Sequence, residues 1–400
     1  MNAVSAGLVL KVARTLILAM AVAVTSPLSI GSEFKTWKQQ QIGGSQQSKD
    51  EFAAYREDIK AAFERYSKKT GKVWGTSNVR PSRTQWVSYI DRLSQRSVVD
   101  FGKGTVKVEM ATAARQVNEE LQRKRLEKLI LKAMLQGQDK RSLMQIANRP
   151  VSLSTGSPVL SGLISRDDGT AASRDDYRSI ATSAAERFTS DEVIGDDGKT
   201  RIVYKAELSL VPDHIRKRAE RYQPLITQYS IRYGIPAALI NAVIETESMF
   251  NPTARSPAPA FGLMQLVPTS GARDAYRYVY KKDRIVTDKY LYDPDNNIKL
   301  GTAYLARLGG SYLSAIESDE SRMLASIAAY NAGMANVLKA FGGTYSRSRH
   351  GSYDAYKSMA FDKINALSPD QVYSTLATRM STAEARNYIQ KVTERMRKYV

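Results

Sequence analysis

The chain has 400 residues, 59 Lys and Arg against 40 Asp and Glu, two histidines and no cysteine. The missing cysteine excludes disulfides, thiolate zinc sites and cysteine nucleophiles, and two isolated histidines, His214 and His350, argue against a histidine metal site or a serine triad. A net charge of +19 predicts attraction to polyanions such as anionic lipid or a cell-wall polymer bearing carboxylates and phosphates; the basic residues are scattered and no nucleic-acid motif accompanies them, so nucleic acid is not an expected partner.

Four hundred residues allow two or three domains. Residues 1–32 read as an export signal: Lys11 and Arg14 precede the apolar run from Thr15 to Val24, and small residues follow. That run is shorter than the roughly 20 residues a bilayer span needs. Phe52, Tyr55, Ile59, Phe63 and Tyr66 recur at helical spacing, and Trp74-Gly75 with Pro81 marks a turn region. Ser97–Phe101, Gly102-Lys-Gly104 and Thr105–Met110 predict a β-hairpin. Residues 116–136 predict a basic amphipathic helix, with Leu121, Leu126, Leu129, Ile130, Ala133 and Met134 on its apolar side. Residues from Pro150 to about Thr200 are rich in Ser, Gly, Asp and Thr, which predicts a linker or irregular excursion. Arg201–Leu210 alternates like a strand, closed by Pro212. Residues 33–200 are therefore expected to form a small α+β accessory domain with its linker.

The remainder, 201–400, reads as successive helices and predicts an all-α domain, making the protein mainly α. Asp213 is placed to cap one helix running to Tyr233, with Gly234 as its stop. Pro236 opens the next and Pro252 closes it. Further helices are expected after Pro268, over 297–313 and over 321–330. Ser368-Pro369 is a cap and first-turn pair, and Ser381-Thr-Ala-Glu384 has capping-box spacing.

One helix carries an unusual side chain. Ile240, Val243, Ile244 and Glu247 fall at i, i+3, i+4 and i+7, so Glu247 continues an aliphatic stripe while Glu245 turns to another face. A carboxyl on an apolar face holds its proton more tightly, as a proton donor near neutral pH must. The plainer reading is a helix-end glutamate reaching solvent or an arginine.

The run Glu247-Ser-Met-Phe-Asn-Pro-Thr-Ala-Arg-Ser256 is followed by Gly262-Leu-Met-Gln265, by Leu291-Tyr-Asp-Pro-Asp-Asn-Asn-Ile298 with Gly301-Thr-Ala-Tyr-Leu305, and by Ala329-Tyr-Asn-Ala-Gly333. In this order they resemble the lytic transglycosylase domain of the soluble lytic transglycosylase superfamily, from about Val211 onward. The resemblance implies a goose-lysozyme-like all-α fold, no cofactor and no metal, and cleavage of the MurNAc-β-1,4-GlcNAc bond of peptidoglycan glycan strands. It implies that Glu247 is acid and then base, with the sugar's own C6 hydroxyl closing a 1,6-anhydro ring. It also implies that Ser256, Met264, Gln265, Tyr330, Asn331, Glu384 and Tyr388 bind substrate. From the residues alone, Ser256 serves equally as a turn cap, Met264 as a buried structural methionine, Asn331 as a helix-end anchor and Glu384 as half of a capping box. Gly262 is best explained by close backbone approach. The Trp74-Gly75 turn, the hairpin and the strand entering Val211-Pro-Asp-His214 are similar to the membrane-bound lytic murein transglycosylase C group. That implies a periplasmic location; members of the group are usually lipid-anchored through a cysteine, and with none here a soluble periplasmic enzyme or one tethered by an uncleaved signal is expected, while the positive charge suits an anionic membrane surface or cell-wall components as partners. A lysozyme-like hydrolase and a non-catalytic polyanion binder are the competing expectations.

Overall fold

The expected hairpin is the middle of a five-stranded antiparallel sheet in the computed structural model, which describes residues 50, 53–54, 56–113, 118–137, 158–256 and 259–400. The export-signal reading of 1–32, and Phe52 and Tyr55 of the first helix, lie outside the described residues. Strands β1 (Gln85–Ile90), β2 (Gln95–Asp100), β3 (Thr105–Ala113), β4 (Thr189–Ile194) and β5 (Thr200–Ser209) are ordered β1-β2-β3-β5-β4. Alternation along β3 sends Val106, Val108 and Met110 to one face and Ala111 to the other, each with its own cluster of buried side chains.

Helices α1 (residues 56–74), α2 (Glu119–Leu135) and α3 (Tyr177–Glu186) cover the sheet. α2 begins at Asn118, whose side chain accepts from Leu121 N, and buries Leu126, Leu129, Ile130, Ala133 and Met134 while Lys124, Arg125, Lys128 and Lys132 face solvent. Leu121, expected on the apolar side, stands 45% exposed in the first turn. The supposed irregular stretch contains α3 and β4. α3 was hidden because its buried positions include the small residues Ala181, Ala184 and Ala185, and β4 because it is a polar edge strand with only Val193 buried.

Residues 214–233 form two helices, α4 (His214–Glu220) and α5 (Gln223–Tyr233), where one was expected. Pro224 near the start of α5 has no N–H to continue the α4 ladder. Then come α6 (Ala237–Ser248), α7 (Gly271–Tyr280), α8 (Asp288–Leu291), α9 (Pro294–Arg307), α10 (Asp319–Ala332), α11 (Met334–Gly342), α12 (Arg347–His350), α13 (Tyr353–Asn365), α14 (Pro369–Arg379) and α15 (Ala383–Met396). Ser368 does cap α14, in a reciprocal box with Gln371. Ser368→Ala is therefore expected to cost about 1 kcal/mol, read as a lowered denaturant midpoint at unchanged slope.

The sheet and the helices that follow share a core. Phe63, Tyr66 and Trp74 of α1 and Tyr89 of β1 belong to the same cluster as Phe261, Leu266 and Tyr292. Arg218 of α4 lies 3.3 Å over the Phe101 ring. Across the strands, Arg96 and Glu109 are register partners and form a buried ion pair, with Arg96 also donating to Ser77 O at 2.6 Å and lying over Trp74. Residues 54–400 consequently form one compact unit.

Candidate active site

α6 delivers Glu247. Ile240, Val243 and Ile244 are fully buried, and Glu247 continues their stripe at 5% exposure. The helix stops earlier than Pro252: Met249 and Phe250 both adopt left-handed backbone, at φ 51° and 58°. L-residues rarely take that conformation, so tertiary contacts must hold it. Phe250 is buried and stacked on Tyr222, and the Ser248 hydroxyl donates to Leu263 O at 2.7 Å. The turn thereby ties the end of α6 to the Gly-Leu-Met-Gln loop.

Glu245, expected on another face, is indeed there, but it is also buried. Lys398 Nζ and Arg395 Nε lie 3.0 Å from its carboxylate, and Tyr399 donates to it at 2.7 Å. Glu247 has no such set of cations. Burial pushes its pKa up to about 7; the Tyr388 hydroxyl and the Arg83 charge pull it down, and Glu384 pushes it up. Two carboxyls on one helix turn thus have separate environments, one fully paired and the other poised near neutrality.

The loop after α6 is built around Gly262 and Asn297. Gly262 has φ 77°, and a Cβ there would lie 2.2 Å from Leu291 O and 2.3 Å from Asn297 Nδ2. Asn297, fully buried, donates to Phe261 O and Leu291 O and accepts from Met264 N. This cross-brace fixes the turn and leaves Gln265 at φ 48°. Its Nε2 donates to Gly262 O, while its Oε1 is buried without a partner.

Glu247, Ser256, Gln265, Tyr330, Asn331 and Glu384 all line one cleft of about 400 Å³, with Arg83 and Tyr304. That is within the size range of small-ligand sites. Met264 does not line it: its side chain is fully buried and fills the space over Gly301, where a Cβ would meet Sδ at 2.2 Å. Its backbone oxygen instead receives the Tyr330 hydroxyl at 2.8 Å. Tyr388 is buried behind Glu247, its hydroxyl directed at that carboxyl without a hydrogen bond of ordinary geometry. Burial and the neighbouring Glu247 hold both Tyr330 and Tyr388 far above the usual phenol range, so each keeps its proton.

Glu384 is not half of a capping box. Thr382 caps α15, accepting from Ala385 N, and Ser381 is drawn away to Asn336. Glu384 is therefore free to face the cleft, where its carboxylate lies 3.8 Å from Arg83.

Arg83 and Tyr304 line the cleft without having been expected there, and Arg83 is the charged one. Its Nη1 lies 3.6 Å from Glu247 Oε2, an ion pair longer than a hydrogen bond. The stretch around it is pinned from two sides: Asn251 Nδ2 donates to Arg83 O at 3.4 Å, and Phe101 N donates to Thr84 O at 2.9 Å. Nothing in its local sequence separates Arg83 from the other 58 basic residues among the 59 present.

Two family models match the chain: residues 52–221 fit the N-terminal domain of membrane-bound lytic murein transglycosylase C, and residues 224–351 fit the transglycosylase SLT domain. Membrane-bound lytic murein transglycosylase C of Klebsiella pneumoniae subsp. pneumoniae is 35% identical over 328 residues, covering 82% of this chain and 85% of that protein. The Salmonella arizonae protein of the same name is also 35% identical over the same shares. Among solved structures, the 70 kDa soluble lytic transglycosylase of Escherichia coli is 23% identical with a TM-score of 0.33 over 56% of this chain, which spans only 27% of that enzyme. With its N-terminal and SLT regions both matched and most of its length aligned, the chain belongs to the membrane-bound lytic murein transglycosylase C family.

Proposed function

We propose that this protein is a peptidoglycan lytic transglycosylase that cleaves the MurNAc-β-1,4-GlcNAc bond and leaves a 1,6-anhydro-MurNAc end, with Glu247 as general acid and then base. The observation that carries this is a carboxyl on a buried aliphatic stripe that nevertheless lines the cleft, where burial holds its proton up to about pH 7. Neutral Glu247 donates its proton to the leaving glycosidic oxygen as the bond to the anomeric carbon breaks. The resulting carboxylate removes the proton of the C6 hydroxyl, whose oxygen closes onto that carbon. Glu247 ends as it began and no water is consumed. An attached hydroxyl has a very high effective concentration, so a second nucleophilic carboxylate is unnecessary.

In this reading Gln265, Ser256 and Asn331 hydrogen-bond the sugars along the cleft, Gln265 toward an N-acetyl group. Tyr330 braces the loop through Met264 O, and Tyr388 steadies the carboxylate between its two proton transfers. A periplasmic location, a signal over residues 1–32 and a division between accessory and catalytic regions near residue 200 belong to the same proposal. No helix among the described residues is long and apolar enough to cross a membrane.

Glu384, facing the same cleft, favours one second reading: a lysozyme-like hydrolase using two carboxylates. Mass spectrometry of murein digested in ¹⁸O-water separates the two. Anhydro-muropeptides without label are expected; labelled reducing N-acetylmuramic ends would make the enzyme a hydrolase.

A further inference from the structure

We propose that Arg83 is a positioning residue of the reaction, a guanidinium carried into the cleft by the region N-terminal to the catalytic helices, where it bridges Glu247 and Glu384 and balances the charge of the acid across its two proton transfers. This rests on the reading of Glu247 given above. Arg83 Nη1 stands 3.6 Å from Glu247 and 3.8 Å from Glu384, so one cation faces two carboxyls.

The geometry is held by the fold. Arg83 precedes β1, and its backbone is clasped by Asn251 on the catalytic side, 168 residues further along the chain. Ser82 O receives Arg255 N on the same side, and Thr84 O receives Phe101 N on the sheet side. The shared core of α1, β1 and the Gly-Leu-Met-Gln loop keeps these two sides together. The cation is thus presented at a fixed place by a segment that contributes no acid or base to the reaction.

The chemistry asks for such a group. Once Glu247 gives up its proton, a carboxylate is left in a buried site, which is costly without a counter-charge. Arg83 lowers that cost and so favours the first transfer. A cation paired only to Glu247 would weaken it as the base of the second transfer. Glu384 offsets this by drawing on the same guanidinium. The phenols facing Glu247, Tyr330 from α10 and Tyr388 from α15, keep their protons, and Glu245 on another face of α6 is occupied by Arg395, Lys398 and Tyr399. Among the described residues, the charges acting on the acid are those of Arg83 and Glu384, which are opposite in sign to each other.

The test is the pH dependence of anhydro-muropeptide release by the full chain and three variants. Activity requires protonated Glu247, so its pKa sets the alkaline limb. Arg83→Gln removes a cation and is expected to move that limb upward by about 0.5–1 pH unit, the low end for an opposite charge at this distance because Arg83 is 44% exposed. Glu384→Gln removes an anion and is expected to move the limb downward. Arg83→Lys keeps a cation and should hold the limb near wild type. A merely structural role for Arg83 would lower the rate at every pH without moving the limb, and an unmoved or lowered limb in a folded Arg83→Gln protein would overturn the proposal. So would a raised limb in Arg83→Lys equal to that in Arg83→Gln. Failure of the underlying reading appears elsewhere, as hydrolytic products from wild type or as full turnover by Glu247→Gln.

Discussion

Glu247→Gln is expected to lose turnover by at least about a thousandfold, measured as anhydro-muropeptide release, while the protein still sediments with insoluble murein. General acid–base catalysis contributes roughly 10²–10⁴ for one positioned group, and in the proposed mechanism one carboxyl serves both transfers. The amide fills the same volume, cannot donate an acidic proton to an ether oxygen and cannot act as a base. Its other neighbours are unchanged, so the cleft persists and the loss lies in turnover, not in murein binding.

The same substitution has a second, opposite signature in stability. The Glu247 carboxyl goes from an ordinary value of 4.5 to about 7 on folding, so the folded protein holds this proton to higher pH than the unfolded chain does. The stability linked to that proton is fully present below 4.5 and is lost as pH rises through about 7. Above pH 7 the buried carboxylate therefore weakens the wild type by about 3 kcal/mol. Glu247→Gln escapes this loss and should melt higher than wild type at pH 8 or so, with the gap closing at pH 5 or so. A variant that is inactive and more stable under alkaline conditions is the mark of a group kept for catalysis at a cost to the fold. An inactive variant that is less stable at every pH would show instead that Glu247 is structural.

The second large effect is expected at Gly262→Ala. The backbone at φ 77° already disfavours a side chain, by about 1 kcal/mol. The greater cost is contact: the new methyl would sit 2.2 Å from a backbone oxygen and 2.3 Å from Asn297 Nδ2, neither of which is the loose end of a flexible chain. Relief requires Asn297 to retreat from Met264 N and Leu291 O, each costing about 1–3 kcal/mol if orphaned, while Phe261 O would keep Leu266 N. A total loss of about 3–5 kcal/mol is expected. Gly234→Ala is the natural comparison, since Gly234 has φ 67° with nothing within 4 Å of the added Cβ and should cost only about 1 kcal/mol. Thermal melts of the two proteins side by side separate crowding from backbone strain. Any Gly262→Ala protein that folds should also be catalytically weak, because the same turn aims Gln265 and supports Tyr330 through Met264 O.

Patterns confined to a single element were readable along the chain. The 3.6-residue period placed Glu247 on a buried stripe, alternation on either side of Gly102-Lys-Gly104 marked β2 and β3, and Ser368 with Pro369 marked the start of α14. These depend on neighbours within a few positions, where backbone geometry dictates which side chains share a face. The elements that were overlooked had weak local signals for physical reasons. α3 buries alanines against α2, and β4 is an edge strand that needs few apolar residues.

The remaining features come from segments far apart in sequence. That Glu245 is buried depends on cations from the chain's last turn, and that Met264 leaves the cleft depends on the gap over Gly301. Glu384 lies outside a capping box because Thr382, one residue later than Ser381, caps the helix while Ser381 bonds Asn336. Arg83 became part of the site only when the sheet and the catalytic loops closed on one core. A residue's type and spacing reveal what chemistry it is able to perform and which way its own helix or strand turns it. Which charges surround it, and hence the pH at which its proton moves, depends on distances that exist only after remote parts of the chain have packed together, since Coulomb interactions and desolvation act through space and take no account of position in the sequence.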